Sequence, residues 1–151
     1  MNKHHVVIPA GLLACLGAAV TALHFKQPAM RPSPALEVQR TPERIARGKY
    51  LYWQAFHCAG CHNERDWARF SAPTVPGREG AGLQFPPELG LPGTVVASNL
   101  TSDRATGLGA WTDGEIARAI REGVSRDGRA LFAFMPYPAY RNMSDEDLHA
   151  L

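Results

Sequence analysis

The sequence predicts a fold of a few short helices and long loops, preceded by an apolar helix at the N-terminus. Three observations carry that expectation. Good helix caps stand at Thr41, Thr112 and Ser144, each opening a short helix-compatible stretch. Twelve prolines and fourteen glycines punctuate the 151 residues. Residues 71–98, "SAPTVPGREGAGLQFPPELGLPGTVVAS", are dense in both and read as loop, with at most an extended piece at 94–97. So long an irregular stretch inside a domain is functional or wraps something. Something other than long helices or sheets organises the centre.

The length suits one domain with extras. Sixteen basic side chains face 14 acidic ones, and the signs balance once Lys3 and Lys26 beside the N-terminal apolar run are set aside. Phosphate binding needs a surplus of Lys and Arg, so nucleic acid is not an expected partner.

Residues 1–26, "MNKHHVVIPAGLLACLGAAVTALHFK", read as a signal peptide or membrane anchor. The uncharged run from Val6 to Leu23 has 18 residues, long for a signal peptide and barely long enough to span a bilayer. Val20-Thr21-Ala22 offers a small-residue cleavage site. Leu12-Leu13-Ala14-Cys15 loosely resembles a lipobox, but the apolar run continues beyond Cys15, where a lipoprotein turns polar. Residues 27–40 read as a Pro-rich linker, and residues 41–151 as the folded domain, outside the cytoplasm.

The first helix of the domain starts at Thr41, with Pro42 at its first position and Glu43 against the dipole. Ile45, Leu51, Tyr52 and Phe56 supply its apolar contacts, and it runs straight into the cysteines. The next helix opens on a Thr112/Glu115 capping box, carries a stripe of Ile116, Ala117, Ala119 and Ile120, and stops at Gly123. The last is capped by Ser144, loaded with negative charge over 145–147, and anchored by Leu148.

The chemistry lies in Cys58-Ala-Gly-Cys61-His62. A structural disulfide across so short a loop gains little stability. A dithiol redox motif belongs at a helix start after a strand, and no βαβ pattern surrounds this one. Structural zinc usually takes four protein ligands, and no second ligand pair at finger-like spacing accompanies these two cysteines. Covalent haem attachment uses every residue at once. The two thiols add across two vinyl groups, small Ala59 and Gly60 let the backbone lie close to the ring, and His62 is carried to the iron. A haem is also a large flat apolar core, which Gly/Pro-rich loops can wrap.

His62 supplies one axial ligand, and the other is expected late in the chain. Met30 and His24 lie in the linker and leader, His57 adjoins Cys58 on the attachment side, and His149 sits on a short helix, expected to be exposed. Met135 and Met143 remain. Met143 precedes the Ser144 cap and pairs with Leu148 as a hydrophobic staple. Met135 has no such role. It lies in "LFAFMPYPAY", an apolar loop stiffened by Pro136 and Pro138, and is the favoured ligand. A His/Met pair raises the reduction potential relative to two nitrogens and leaves no open position, so electron transfer is the default role.

Three stretches resemble the class I c-type cytochromes, of the bacterial monohaem type that stand free or associate with dehydrogenases. They are "RGKYLYWQAFHCAGCH", "ASNLTSDRATGLGAWTDGEIARAIREGVSRDGRALFAFMPYPAY" and "MSDEDLHAL". The resemblance implies an all-α cytochrome c fold wrapped around one covalent haem c, with Met135 as axial ligand. It also implies that the first and last helices of the domain cross at Gly48. The last helix is shorter here than the family's, as in a truncated chain or one with weaker terminal packing.

Asn99, Trp111 and Tyr137 are candidate haem contacts, or loop-capping and core residues. Phe85, Leu91, Val95, Leu100, Leu131, Phe132 and Phe134 are candidates to line the haem crevice. Arg65, Arg69, Arg126 and Arg129 form a docking rim or an ordinary solvated surface. The expected function is a non-enzymatic electron carrier between a dehydrogenase or quinol oxidase complex and a terminal acceptor or oxidase. Its expected place is the bacterial periplasm or the periplasmic face of the inner membrane. Two alternatives stay open: a haem enzyme or gas sensor with one free axial position, which requires Met135 off the iron, and a thiol oxidoreductase, which requires free thiols at Cys58 and Cys61.

Overall fold

A computed structural model describes residues 4–26 and 31–151; Met30 lies outside them. Helix α1 covers His4–His24, and every side chain from Ala10 to Lys26 is exposed. The side chains of residues 4–9 lie outside the described set. Among the described residues no helix is long and apolar enough to cross a membrane, so the anchor reading of residues 1–26 gains no support.

Helix α2, Pro42–Tyr50, starts where its cap predicts: the Thr41 hydroxyl accepts the Arg44 N–H at 3.2 Å, and Pro42 fills the first position. It does not run straight into the cysteines. It widens into a π turn over Leu51–Ala55, closed by Phe56 N–H on the Leu51 carbonyl at 2.9 Å. The chain then breaks at His57, which takes a left-handed φ of 54°, and restarts as α3, Cys58–His62. A non-glycine residue in that region carries strain that neighbouring structure must hold. The wide turn and the break together re-aim the motif relative to α2.

Helix α4 is Asp113–Glu122, with the Thr112/Glu115 capping box reciprocal as expected. It stops at Gly123 with φ 67°. The Tyr137 ring lies so close that a Cβ at Gly123 would come within 2.6 Å of it, so both conformation and space demand glycine there. One turn, α5 (Tyr137–Tyr140), leads to α6, Asp145–Ala150, capped by the Ser144 hydroxyl on the Asp147 N–H at 3.1 Å.

Ala117, Met143 and Leu148 form the small buried core, with Leu36, Phe56, Ile120, Tyr140 and Leu151 packed against it. Met143 and Leu148 thus meet as the staple predicts. Helices α2 and α6 cross at Gly48, whose Cα leaves no room for a Cβ against the Ala150 carbonyl. Arg47 grips Asp147 across the same crossing with two bonds of 2.8 and 3.1 Å. Leu51 is 1 % exposed at the end of α2, but Ile45, expected to pack, is 59 % exposed, because the crossing is made through Gly48 instead.

The fold is helical but, contrary to the all-α expectation, not wholly so: β1 (Leu83–Gln84) and β2 (Val96–Ala97) pair antiparallel, with Leu83 opposite Ala97. The described part of the Pro-rich stretch packs on the domain. Residues 31–40 have no regular structure, as befits a Pro-rich stretch, yet they are no free tether. Val38 N–H donates to Asp113 at 2.7 Å, Arg31 pairs with Glu122 at 3.0 Å, and the Pro34 carbonyl lies against Gly114. This strap lies along α4.

Candidate functional site

Helix α3 is short, but its spacing decides the site. Residues three and four apart share one helix face. Cys58, Cys61 and His62 stand at such positions, so two thiols and an imidazole emerge together. Both thiols are half-buried and unbridged, so the disulfide reading is not realised. Burial pushes both thiols up, away from thiolate. A thiol oxidoreductase or a zinc thiolate needs the opposite shift. Among the described residues no group of His, Cys, Asp and Glu is placed to hold a metal ion on its own.

The His62 ring is fixed by a second contact. Its Nδ1–H donates to the Ser98 carbonyl at 2.8 Å, which leaves the Nε2 lone pair free to ligate. Such a backbone partner sets the tautomer and aims the ring of a metal-binding histidine. Burial pulls this histidine below its ordinary pKa, and the Ser98 bond opposes the fall only in part. The donor set fits a covalently attached haem: two unbridged thiols and one oriented imidazole, on one face.

Behind the motif stands a residue that gave no signal in the sequence. Asn63 is 0 % exposed. Its Oδ1 accepts from the Tyr52 hydroxyl at 2.6 Å and from the Gly80 N–H at 2.8 Å, while its Nδ2 donates to Thr74 at 3.3 Å. The His62 carbonyl accepts the Gly82 N–H at 2.8 Å. The 74–82 loop is therefore tied to the end of α3 by hydrogen bonds. Tyr52 is pushed up to about 12, first by burial and then by Cys58 and Glu79. Tyr140, bonded to the Phe56 carbonyl at 3.0 Å, is pushed to about 12 by burial and by both cysteines.

Met135 is half-buried in a tight turn in which its carbonyl accepts the Tyr137 N–H at 2.8 Å. Met143 is buried in the core. His149, expected to be exposed, is half-buried on α6. Asn99 closes its own loop: its Oδ1 accepts from the Thr101 N–H and hydroxyl at 2.8 and 2.7 Å, and its Nδ2 donates to Thr106 at 2.9 Å. Tyr137 covers Gly123, and Trp111 is half-buried just ahead of α4. Phe85 meets Phe134 edge-on at 5.2 Å, and Phe134 stacks with Phe132 at 6.3 Å. Phe85, Leu91, Val95, Leu100 and Leu131 are half-buried, and Phe132 and Phe134 are exposed, so these side chains form no closed core of their own. Of the arginine rim, Arg126 pairs with Glu115 at 3.5 Å and Arg129 with Asp127 at 3.9 Å, as on an ordinary surface. Arg65 lies within charge range of Cys61, and Arg69 is exposed.

No protein-family model matches the chain. Curated relatives do. A nicotinate dehydrogenase component of Pseudomonas putida is 34% identical over 140 residues, which are 91% of this chain and 10% of that protein. The gluconate 2-dehydrogenase cytochrome c subunit of Pantoea cypripedii is 34% identical over 107 residues, 71% of this chain and 21% of the relative. The chain is similar to cytochrome c subunits. The cytochrome c subunit of alcohol dehydrogenase (quinone) from Gluconacetobacter polyoxogenes reaches 41% identity, over 71% of this chain and 20% of its own length. A diheme cytochrome c-type protein of Cereibacter sphaeroides is 28% identical over 93% of this chain and 44% of its own. The chain thus spans between a tenth and under a half of the length of these relatives. The relatives named as cytochrome subunits of dehydrogenases are electron-transfer subunits rather than catalytic ones. They support a c-type cytochrome family, haem c and electron transfer.

Proposed function

We propose that residues 41–151 form a class I, monohaem c-type cytochrome domain that carries single electrons. The observation that carries this reading is the grouping on α3: two unbridged thiols and a histidine whose Nδ1 is held by Ser98, on one helix face. Bound there, haem c supplies one-electron ferric/ferrous chemistry. Cys58 and Cys61 would tether it through thioethers, and His62 Nε2 would ligate the iron. One Cys-x-x-Cys-His occurs in the sequence, which supports a single haem. The diheme relative, matched over 44% of its length, agrees with one haem per unit of this size.

In this reading Met135 would hold the iron together with His62. Met143 is committed to the core, and using it would dismantle the packing of α6 on α4. Met135, between Phe134 and Pro136, is half-buried in a turn outside that core. A thioether and an imidazole, both bound to the iron, would favour the ferrous state and leave no position for substrate, so the domain would transfer electrons without catalysis of its own. Asn99, Trp111 and Tyr137 act by shaping the loops beside the haem. The electron donor is a dehydrogenase subunit, as the relatives' names suggest, and the acceptor is a respiratory partner. The site of action is the bacterial periplasm or the periplasmic face of the inner membrane, reached through residues 1–26.

A reduced-minus-oxidised spectrum tests the reading. A low-spin c-type band is expected in the wild type and in Met143→Leu. In Met135→Ala the iron should become high-spin and bind carbon monoxide. An unchanged spectrum in Met135→Ala would remove Met135 from the iron, and a wild-type protein that is already high-spin and binds carbon monoxide would favour the sensor or enzyme reading.

A further inference from the structure

A cleft of about 1010 Å³ opens between the 31–40 strap, α4 and α6, and none of Cys58, Cys61, His62 or Met135 lines it. Its charges do not cancel. Four arginines line it, Arg31, Arg118, Arg121 and Arg141, against two carboxylates, Glu122 and Asp145. Both carboxylates are engaged, Glu122 by Arg31 at 3.0 Å and Asp145 by Arg121 at 2.7 Å. Arg118 and Arg141 have no carboxylate partner among the described residues.

Arg118 is the decisive one. It is 9 % exposed, on a helix whose other buried residues are small. Its guanidinium reaches only backbone carbonyls, that of Ser125 at 3.1 Å and that of Arg31 at 3.4 Å, and its Nε has no partner. A buried cation is retained when an anion compensates it, and carbonyl dipoles do so incompletely. The floor of the cleft is apolar: Leu36, Ala117, Val124 and Leu148. Guanidinium groups match carboxylate and phosphate oxyanions, and an apolar floor selects for a hydrocarbon body attached to the head.

We propose that this cleft binds an organic carboxylate with a short apolar body. Its head is held by the uncompensated charges of Arg118 and Arg141, and its body lies on Leu36 and Val124. The inference is independent of the haem reading, since the two sites share no residue. The test is calorimetric titration of the purified full chain with hexanoate, set beside hexanamide (same body, no charge), acetate (same head, no body) and inorganic phosphate. Hexanoate should bind at least about tenfold more tightly than each of the others, the scale of one charge-assisted hydrogen bond. Arg141→Gln, an exposed position that threatens no packing, should weaken hexanoate about tenfold, and Arg118→Lys should weaken it as much or more. Equal binding of hexanoate and hexanamide, phosphate binding as tight as hexanoate, indifference to Arg141→Gln, or no binding at all would each overturn the proposal. A haem spectrum taken on each sample keeps the outcome separate from the electron-transfer reading.

Discussion

Two regions of this molecule are held together by different physics. Where α4 and α6 meet, Ala117, Met143 and Leu148 are buried, the helices are capped at Thr112 and Ser144, and a glycine lets α2 cross α6. On the cysteine side a fully buried polar residue, Asn63, stands among the separate buried apolar residues Leu51, Ala59 and Leu83. Asn63 ties Tyr52, Thr74 and Gly80 together, while Phe85, Phe132 and Phe134 stay half-buried or exposed. The first region carries its own apolar core. The second has a hydrogen-bonded hub at Asn63 and aromatic side chains that pack mainly on one another, which the proposed haem would cover.

If that contrast is right, the largest single loss comes from the polar hub. Asn63→Leu strands the Tyr52 hydroxyl and the Gly80 N–H in a buried place, at about 1–3 kcal/mol each. A destabilisation of about 4 kcal/mol is expected in urea unfolding, with hydrogen-exchange protection lost first in 74–82. Leu148→Ala should cost about 3 kcal/mol through its cavity and loosen α6 rather than the loop. If Asn63→Leu proves milder than Leu148→Ala, or if both loosen the same segment, the two regions are not distinct.

The smallest effect sharpens the comparison at the helix crossing. Arg47 holds the Asp147 carboxyl below its ordinary value, and both side chains are partly exposed. A lowered carboxyl pKa stabilises the fold above the unfolded value of about 4 and loses that contribution as pH falls through the folded one. The stability difference between wild type and Arg47→Leu should therefore be present at pH 7 and vanish in acid. A difference that persists in acid after Asp147 has been protonated would assign it to packing of the arginine stem instead.

Local features were legible in the sequence. The caps at Thr41, Thr112 and Ser144, the stop at Gly123 and the staple of Met143 on Leu148 are set by neighbours within a few residues. The Cys58–His62 grouping is equally local. Asn63 was not legible, because its partners lie 11 to 17 residues away and nothing in its own neighbourhood marks it as buried. Arg118 was not legible either, since nothing in its own neighbourhood marks it as buried. Its partners include the strap, 87 residues earlier at Arg31, as well as Ser125. The break at His57 was also hidden: the sequence reads as one helix running up to the cysteines, and nothing local marks the π turn or the left-handed His57. Ile45 failed as a packing residue because the crossing was built on the absence of a side chain at Gly48.

The central claim is that Cys58 and Cys61 carry a covalent porphyrin under His62. Intact-mass spectrometry of denatured protein, matured in a bacterium with haem-ligation machinery, tests it directly. The wild type should carry the mass of one haem that survives acid-acetone extraction, and the Cys58→Ser, Cys61→Ser double variant should not. A bare polypeptide mass for the wild type would contradict the account.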